Sequence, residues 1–445
     1  MMAAAELFSF SWNWELDGWI VLAGILCAVS AALPGNFLLL RRMSLLGDAV
    51  SHAILPGLVT AVLITGSRSG LAMFTGAVIV GVLTAVFTEW IRGFGAVDEG
   101  ASMGVVFTTM FAAGLVMIVG AADSIDLDAE CVLFGSIENS WIDTVSIRGF
   151  EIPRVILTLG SVALLNTVFV LLFYKELKIS SFDPGLATAS GFSAGLMHYL
   201  LMVIVAVTAV ASFESVGSIL VVAMFVVPPA AARLLTERLS IMIILSALIA
   251  AFSAVVGHLS AITIPMWFGY RSANTAGMMA LIAGTSFVLC SLFAPKQGIL
   301  VRFVRSRLLS LRILSEDLIA LLYRMEEKRS RMMTSIRELS EALIAPEWLT
   351  SVLMKHHERR GRVQRVNSSY SLTDSGRLLG AELVRSHRLW ENYLVVEAGV
   401  PLDRIHDQAE KLEHFTGRDL RQRLNDAAPD LELDPHGSVI PQEGE

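Results

Sequence analysis

The chain has 445 residues, 54% hydrophobic and 17% charged, with a formal net charge of −7 and a mean hydropathy of +0.63. This is too apolar for an ordinary soluble enzyme, and the charge balance excludes a strongly basic, nucleic-acid-binding chain. Charge is also uneven: residues 301–445 hold 22 of the 34 Lys/Arg and 23 of the 41 Asp/Glu. The pattern predicts a membrane domain over 1–295, a linker helix over 296–314 and a soluble part after it.

Residues 1–15 carry no Lys or Arg, so they lack the basic start of a cleaved signal peptide, and the first apolar segment reads as a retained span. Apolar runs recur at about 17–40, 44–65, 70–91, 101–122, 153–174, 195–213, 216–232, 240–262 and 276–294. A helix needs roughly 20 residues to cross a bilayer, which gives about nine spans. Glu214 interrupts an otherwise continuous apolar stretch, and the division is set there. Arg41 and Arg42, Arg92, Lys175 and Lys178, Arg233 and Arg238, and Lys296 with Arg302 fall in alternate loops. Assigning those loops to the cytoplasm puts the N-terminus outside the plasma membrane and the C-terminal domain in the cytoplasm. The cysteines Cys27, Cys131 and Cys290 are far apart and form no CxxC pair, so neither a disulfide framework nor a thiolate zinc site is indicated.

The chain is organised around Arg41-Arg-Met-Ser-Leu-Leu-Gly-Asp-Ala-Val-Ser-His-Ala-Ile-Leu-Pro-Gly57. Asp48 and His52 are four residues apart, on one face of a helix. Ionisable groups in a span are costly and face a bundle interior or a substrate path. A carboxylate beside an imidazole suits a divalent transition metal, and equally a polar bridge between two helices. A continuous helix would place His52 about 15 Å beyond Arg42, near the midplane. Further on, Asp183-Pro184 reads as a helix start, with aspartate as cap and proline at the first position. The short helix through Gly185, Leu186 and Ala187 would lie on the cytoplasmic surface.

The opening motif resembles the second span of permeases in bacterial ABC importers for zinc, manganese and iron. Asp126-Leu-Asp-Ala-Glu-Cys-Val-Leu-Phe-Gly-Ser136, Phe182-Asp-Pro-Gly-Leu-Ala187 and Ser215-Val-Gly-Ser-Ile-Leu-Val-Val-Ala-Met-Phe-Val-Val-Pro-Pro229 resemble the family in the same order. The resemblance implies that Asp48 and His52 coordinate the transported metal. It also implies that Asp183, Pro184, Gly185, Leu186 and Ala187 form the coupling helix that docks on an ATPase subunit. The chain departs from the family at Ile264-Pro265, where members often have an aspartate before the proline. His198 and His258 read as packing residues. No G-x-x-x-x-G-K-[ST] phosphate loop occurs, so ATP hydrolysis is expected on a separate nucleotide-binding subunit, and the chain itself is not expected to be an enzyme. The family further implies an extracytoplasmic metal-binding protein and a second permease copy, identical or paralogous.

The soluble part reads as helices over 316–327, 334–344 and 346–360, then two short strands around a turn over 361–373. That order is a winged helix-turn-helix layout over 315–373, followed by a helical domain over 374–445. His387 and Glu391 are i, i+4, and His406, Glu410, Glu413 and His414 fall within an arc of about 100° on one helix. Two imidazoles and two carboxylates on a stripe suit a mixed N/O metal site, or a solvated, salt-bridged face.

This region resembles iron- and manganese-dependent repressors of the diphtheria-toxin-repressor type. The resemblance rests on Leu372-Thr-Asp-Ser-Gly-Arg377, Ser386-His-Arg-Leu-Trp-Glu391, Ile405-His-Asp-Gln-Ala-Glu-Lys-Leu-Glu-His414 and Asp434-Pro-His-Gly-Ser-Val-Ile-Pro441. It implies metal ligands at His387, Glu410, Glu413 and His414, a further carboxylate at Asp317, an ancillary site at Glu391 and His406, and dimerisation. Ala320 stands where manganese-type members have a second carboxylate. The helix expected to read DNA carries Trp348, Leu349 and Val352, which offer no polar groups to base edges. Only Lys355, Arg359, Arg360, Arg362 and Arg365 could meet phosphates.

The chain is therefore expected to be mostly α. Its function is expected to be a divalent-metal (manganese, zinc or iron) importer permease with a fused metal-sensing domain, the metal being both cargo and regulatory ligand. The alternative is a membrane-tethered or released metal-dependent DNA-binding repressor.

Overall fold

The computed structural model describes residues 12–43, 46–65, 70–95, 98–120, 137–139, 141–147, 149–270, 272–329, 334–366, 368–427 and 433–442, and the chain divides into two compact units, Met1–Arg302 and Phe303–Glu445. The stretch Asp126–Ser136 that carries part of the family resemblance lies outside the described residues.

Among the described residues, nine helices are long and apolar enough to cross a membrane. In the first unit these are α1 (Asp17–Leu40), the pair α2 (Leu46–Ala53) and α3 (Leu55–Thr65), α4 (Gly70–Gly95), α5 (Glu99–Gly120), α6 (Arg154–Leu172), α9 (Ala194–Val216), α10 (Ser218–Leu235), α11 (Leu239–Trp267) and α12 (Thr275–Phe293). Between α6 and α9 lie two short helices, α7 (Tyr174–Phe182) and α8 (Pro184–Ala189). Before α6 an antiparallel hairpin pairs β1 (Thr144–Ile147) with β2 (Phe150–Pro153), an element that the apolar pattern did not announce.

Two breaks in the apolar runs have local causes. The second span is split at Ile54 because Pro56 has no N–H to continue the preceding turn. The boundary expected at Glu214 falls instead at Gly217, whose φ of +89° a side chain would oppose.

Helix α1 is the centre of this unit and packs against α6, α10 and α11. Its polar groups are paired across helices. Asn36 Nδ2 donates to Ser246 Oγ at 2.7 Å on α11, and Asn166 Nδ2 on α6 donates to Ser30 O and Thr208 Oγ1, both at 2.8 Å. An unpaired buried amide costs roughly 1–3 kcal/mol, so these bridges choose which helices meet where apolar packing alone would not.

The second unit contains α13 (Ile299–Arg329), which begins at the end of the first unit and runs continuously through the residues expected to form a separate linker and first tail helix. The helix expected from 334 starts as a strand, β3 (Thr334–Ser335), and becomes α14 (Ile336–Ala342) after a capping box between Ser335 and Glu338. Helix α15 (Glu347–Arg359) leads into β4 (Val363–Val366) and β5 (Ser369–Leu372), and the sheet order is β3-β5-β4. Leu318, Leu322, Leu339, Met354, Val363 and Leu372 close the core of this winged element. His357 joins it as a neutral group: burial pushes its imidazole down to about 4, and Nε2–H donates to Ser315 O at 2.9 Å.

The remainder is helical: α16 (Asp374–Val396), α17 (Ile405–Glu413) and α18 (Arg418–Ala427). Helix α16 is fastened to α13 by Arg377–Glu326 at 3.0 Å and by the forked Arg388–Glu327 pair at 3.0 and 2.6 Å. Leu394, Ile405 and Ala409 then pack α17 on α16. Three helices thus converge at fixed spacing, which is what a multi-ligand site requires.

Candidate metal-binding sites

In the first unit, positions 48 and 52 lie one turn apart on α2. The turn before α2 is tightly closed: Arg42 takes φ +63°, and the Met43 N–H returns to Leu38 O at 2.9 Å. Helix α2 begins only at Leu46, so position 52 is about 9 Å along it rather than about 15 Å. The pair therefore sits nearer the Arg41 end than a continuous helix would put it. Gly47 sets the lateral position, since a Cβ there would stand 2.8 Å from the Phe225 ring of α10. Asp48 is half-buried; the side chain of His52 lies outside the described set.

The segment expected to couple to an ATPase is α8. Asp183 caps it, its carboxylate accepting from the Leu186 N–H at 2.9 Å, with Pro184 in the first turn. Leu186 and the preceding Phe182 are exposed, while Ala187 is buried. His198 and His258 both bridge helices: His198 contacts Glu89 at 3.0 Å, and His258 contacts Asp17 at 3.1 Å.

In the second unit the expected ligands fall into two groups. The first is His387, Glu391 and His406. His387 Nε2, Glu391 Oε1 and His406 Nδ1 form a triangle with all three sides at 3.0 Å. Hydrogen bonds alone fit this triangle poorly, because two ring nitrogens and one oxygen must share their protons. Cis ligands of an octahedral ion with bonds of roughly 2.1 Å are about 3.0 Å apart, so the donors fit a divalent metal. His436 stands at the mouth, with Nε2 3.8 Å from Glu391 Oε1.

The second group is Asp317, Glu413 and His414. His414 Nδ1 lies 2.9 Å from Glu316 Oε2. Its Nε2 is buried and takes part in no well-directed hydrogen bond, although Asp317 Oδ1 is 3.1 Å and Glu413 Oε1 is 3.6 Å away. A buried nitrogen that faces two carboxylates with only a poorly directed contact to them fits a metal ligand, the ion pair with Asp317 standing in its place.

Glu413 joins the groups. While Oε1 faces His414, Oε2 accepts from His387 Nδ1–H at 2.5 Å. That contact fixes the tautomer of His387 whose Nε2 is free to ligate, the usual task of a carboxylate behind a metal-bound histidine.

Protons hold the sites in the absence of metal. Burial disfavours a charged His414, yet Asp317 and Glu316 outweigh it and hold the imidazole up at about 10. Burial likewise opposes charge on Glu391, but His387 and His406 hold its carboxyl at about 2. His387 is raised despite burial, by Glu391 and Glu413.

Glu410 does not join either group among the described residues; it is exposed on α17. Ala320, in place of a carboxylate, is buried against Leu383 and Val384. Glu316 and His436 were not foreseen as neighbours of the sites. The adjacent Glu316-Asp317 pair was the only signal for the former, and the chain fold alone brings up the latter.

Among the possible phosphate contacts, Lys355, Arg359, Arg360 and Arg365 are exposed and Arg362 is half-buried. Trp348 and Val352 are 68% and 56% exposed on α15, so the first half of that helix presents two apolar side chains outward, with the basic residues towards its end.

Residues 15–294 match the family described as the ABC 3 transport family, and residues 373–442 match the iron dependent repressor, metal binding and dimerisation domain. The chain is 43% identical over 293 residues to the manganese transport system membrane protein MntD of Bacillus subtilis, covering 66% of this chain and 97% of that protein. It is 36% identical over 361 residues to the zinc transport system membrane protein TroD of Treponema pallidum, covering 80% and 96%. Among solved structures, PsaBC from Streptococcus pneumoniae in complex with Fab is 30% identical, covering 69% of this chain and 100% of that one, with a TM-score of 0.52. The chain is an integral membrane protein and belongs to the ABC 3 transport family.

Proposed function

We propose that this protein is the permease of an ATP-driven importer of manganese or zinc, with iron the third candidate, and that its second unit senses the imported metal and restrains transport. The observation that carries this reading is the convergence of two carboxylate–imidazole groups, linked by the Glu413–His387 contact, on a chain whose membrane part belongs to the ABC 3 transport family. Manganese and zinc are the metals named for the relatives MntD and TroD, and oxygen- and nitrogen-rich donors suit both.

In the membrane part, Asp48 and His52 offer a carboxylate and an imidazole to the passing cation. Energy comes from a separate nucleotide-binding subunit docked on Asp183–Ala187, and metal is delivered by an extracytoplasmic binding protein. The N-terminus lies outside and the second unit in the cytoplasm, and two permease copies surround one path. When bound in the second unit, the metal supplies positive charge that replaces the protons. His387, Glu391 and His406 hold one ion; Asp317, Glu413 and His414 hold the other, with Glu316 beside it. Helices α13, α16 and α17 all contribute, so occupancy fixes their mutual position.

DNA binding is the weaker role for this unit, because the face of α15 that would enter a groove presents Trp348 and Val352. Metal uptake by cells expressing the complete complex, with each metal in competition, tests the transport reading. In the same cells Glu413→Ala or His414→Ala should keep uptake fast at high internal metal. Unchanged inhibition in both variants removes the sensing role.

A further inference from the structure

Arg41 opens the motif that carries Asp48, yet neither metal binding nor ATPase docking accounts for its side chain. Its guanidinium reaches two other elements directly and a third through His198. Nε donates to Ser181 Oγ at 3.0 Å and Nη2 to Ser180 Oγ at 2.8 Å, both on α7. Nη1 lies 3.3 Å from His198 Nδ1 on α9. Arginine has only N–H groups to offer, so His198 Nδ1 accepts and its proton sits on Nε2. Nε2–H then donates to Glu89 Oε2 at 3.0 Å on α4, and Glu89 Oε1 accepts from Arg92 Nη2 at 2.7 Å. A single tautomer satisfies the whole chain of contacts. His198 and Glu89 are 14% and 19% exposed, so water competes little for these bonds.

This network borders, in sequence, the two segments proposed above for cargo and for ATPase docking. Ser180 and Ser181 precede Asp183, the cap of α8. Arg41 lies seven residues before Asp48, joined to α2 by the closed turn at Arg42 and Met43. A shift of α7 is therefore felt at Arg41 through two hydrogen bonds, and the bonds from Met43 N–H to Leu38 O and from Leu46 N–H to Met43 O tie that position to the helix of the proposed metal pair.

We propose that Arg41 is a positioning residue that links the ATPase-docking segment to the Asp48 helix, with His198 and Glu89 anchoring it to the spans. This rests on the reading of Asp183–Ala187 as the docking segment. A lysine cannot replace it, because one ammonium lacks the planar fork that engages two serines and an imidazole together.

The test uses the full chain co-expressed with its ATPase subunit and reconstituted in vesicles with the binding protein, measuring metal uptake per ATP hydrolysed. Arg41→Lys should leave the ATPase subunit bound and hydrolysis running, with uptake per ATP falling about tenfold, within the usual range of coupling energies. The double variant Ser180→Ala/Ser181→Ala removes only two hydroxyls and should show the same loss from the other end. Glu89→Gln keeps an acceptor for His198 and should retain coupling, whereas Glu89→Ala should not. Unchanged uptake per ATP in the double serine variant overturns the proposal, whether or not Arg41→Lys folds. Leu186→Glu separates the underlying reading: if the ATPase subunit still co-purifies, the docking assignment fails independently of Arg41.

Discussion

The two units weight their polar groups differently. In the membrane unit α1 and α6 are bridged to their neighbours by neutral groups, Asn36 with Ser246 and Asn166 with Thr208, and carboxylates enter only in pairs such as Asp17 with His258 and Glu89 with His198 among the bridges described above. In the second unit His387, Glu391, Glu413 and Arg388 are all at least nine-tenths buried, and each has an oppositely charged partner. Burying charge is costly unless it is paired, and a divalent ion is a stronger partner than a proton for a group of carboxylates and imidazoles. The difference teaches what each part is suited to. On the proposed reading, Asp48 and His52 would offer a passing cation two donors and let it go, whereas the two trios of the second unit would retain one.

The largest expected effect sharpens the first half of that comparison. His52→Ala removes the imidazole of the proposed pair on α2, and metal uptake by the complete complex should fall below detection. The folded complex should remain intact, as judged by co-purification of the ATPase subunit. Near-normal uptake would mean that α2 does not carry the cargo site and that the contrast between a releasing and a retaining site is misplaced.

The next effects test whether the tail holds two ions. Asp317→Asn touches only the group with His414, and Glu391→Gln only the group with His406. Each variant should lose one metal equivalent from the purified full-length protein, measured by elemental analysis, and the double variant both. Loss of both ions from either single variant would show one shared site rather than two.

A smaller effect follows from protonation. In the metal-free protein His414 is held protonated up to about 10. A metal taking its place therefore displaces a proton throughout the range from pH 6 to 9. The sign follows directly: raising the pH lowers the cost of removing that proton, so affinity rises by about tenfold per unit for each proton displaced. The free imidazole, with an ordinary value near 6.5, would give no such slope above pH 7. Titration calorimetry in buffers of different ionisation enthalpy reads the proton count, and a count of zero at pH 7.5 breaks the link between His414 and the site.

Much of this was legible in the chain because membrane burial imposes a strong pattern. All nine apolar runs correspond to candidate spans, since a lipid-facing helix has no choice but to be apolar along its length. The ends of elements were less legible, because single residues decide them. Gly217 rather than Glu214 ends α9, and Pro56 splits the second span. The strands β1 and β2 alternate polar and apolar residues over only four positions each, too few to stand out beside the apolar spans, and β3 was hidden because two residues of strand cannot announce a period. In the site, helical spacing placed His387 with Glu391 correctly, but spacing along one helix cannot say which residues another helix covers. Glu316 and His436 reach the sites through tertiary packing, and Arg41 meets two elements 139 and 157 residues away in sequence.

The smallest expected effect concerns the residue on which the repressor resemblance and the geometry diverge. Glu410 falls on the same helical stripe as Glu413 and His414, and the resemblance makes it a ligand. One turn earlier on α17, however, it faces solvent, and both groups have a full trio of donors without it. Glu410→Ala should therefore change metal affinity of the full-length protein by no more than about threefold, the scale of a screened surface charge near a site. The metal equivalents bound should not change, in contrast with Asp317→Asn. A loss of one equivalent would instead require α17 to turn on binding, bringing Glu410 inward, and the retaining site would then be assembled by the metal rather than prepared for it.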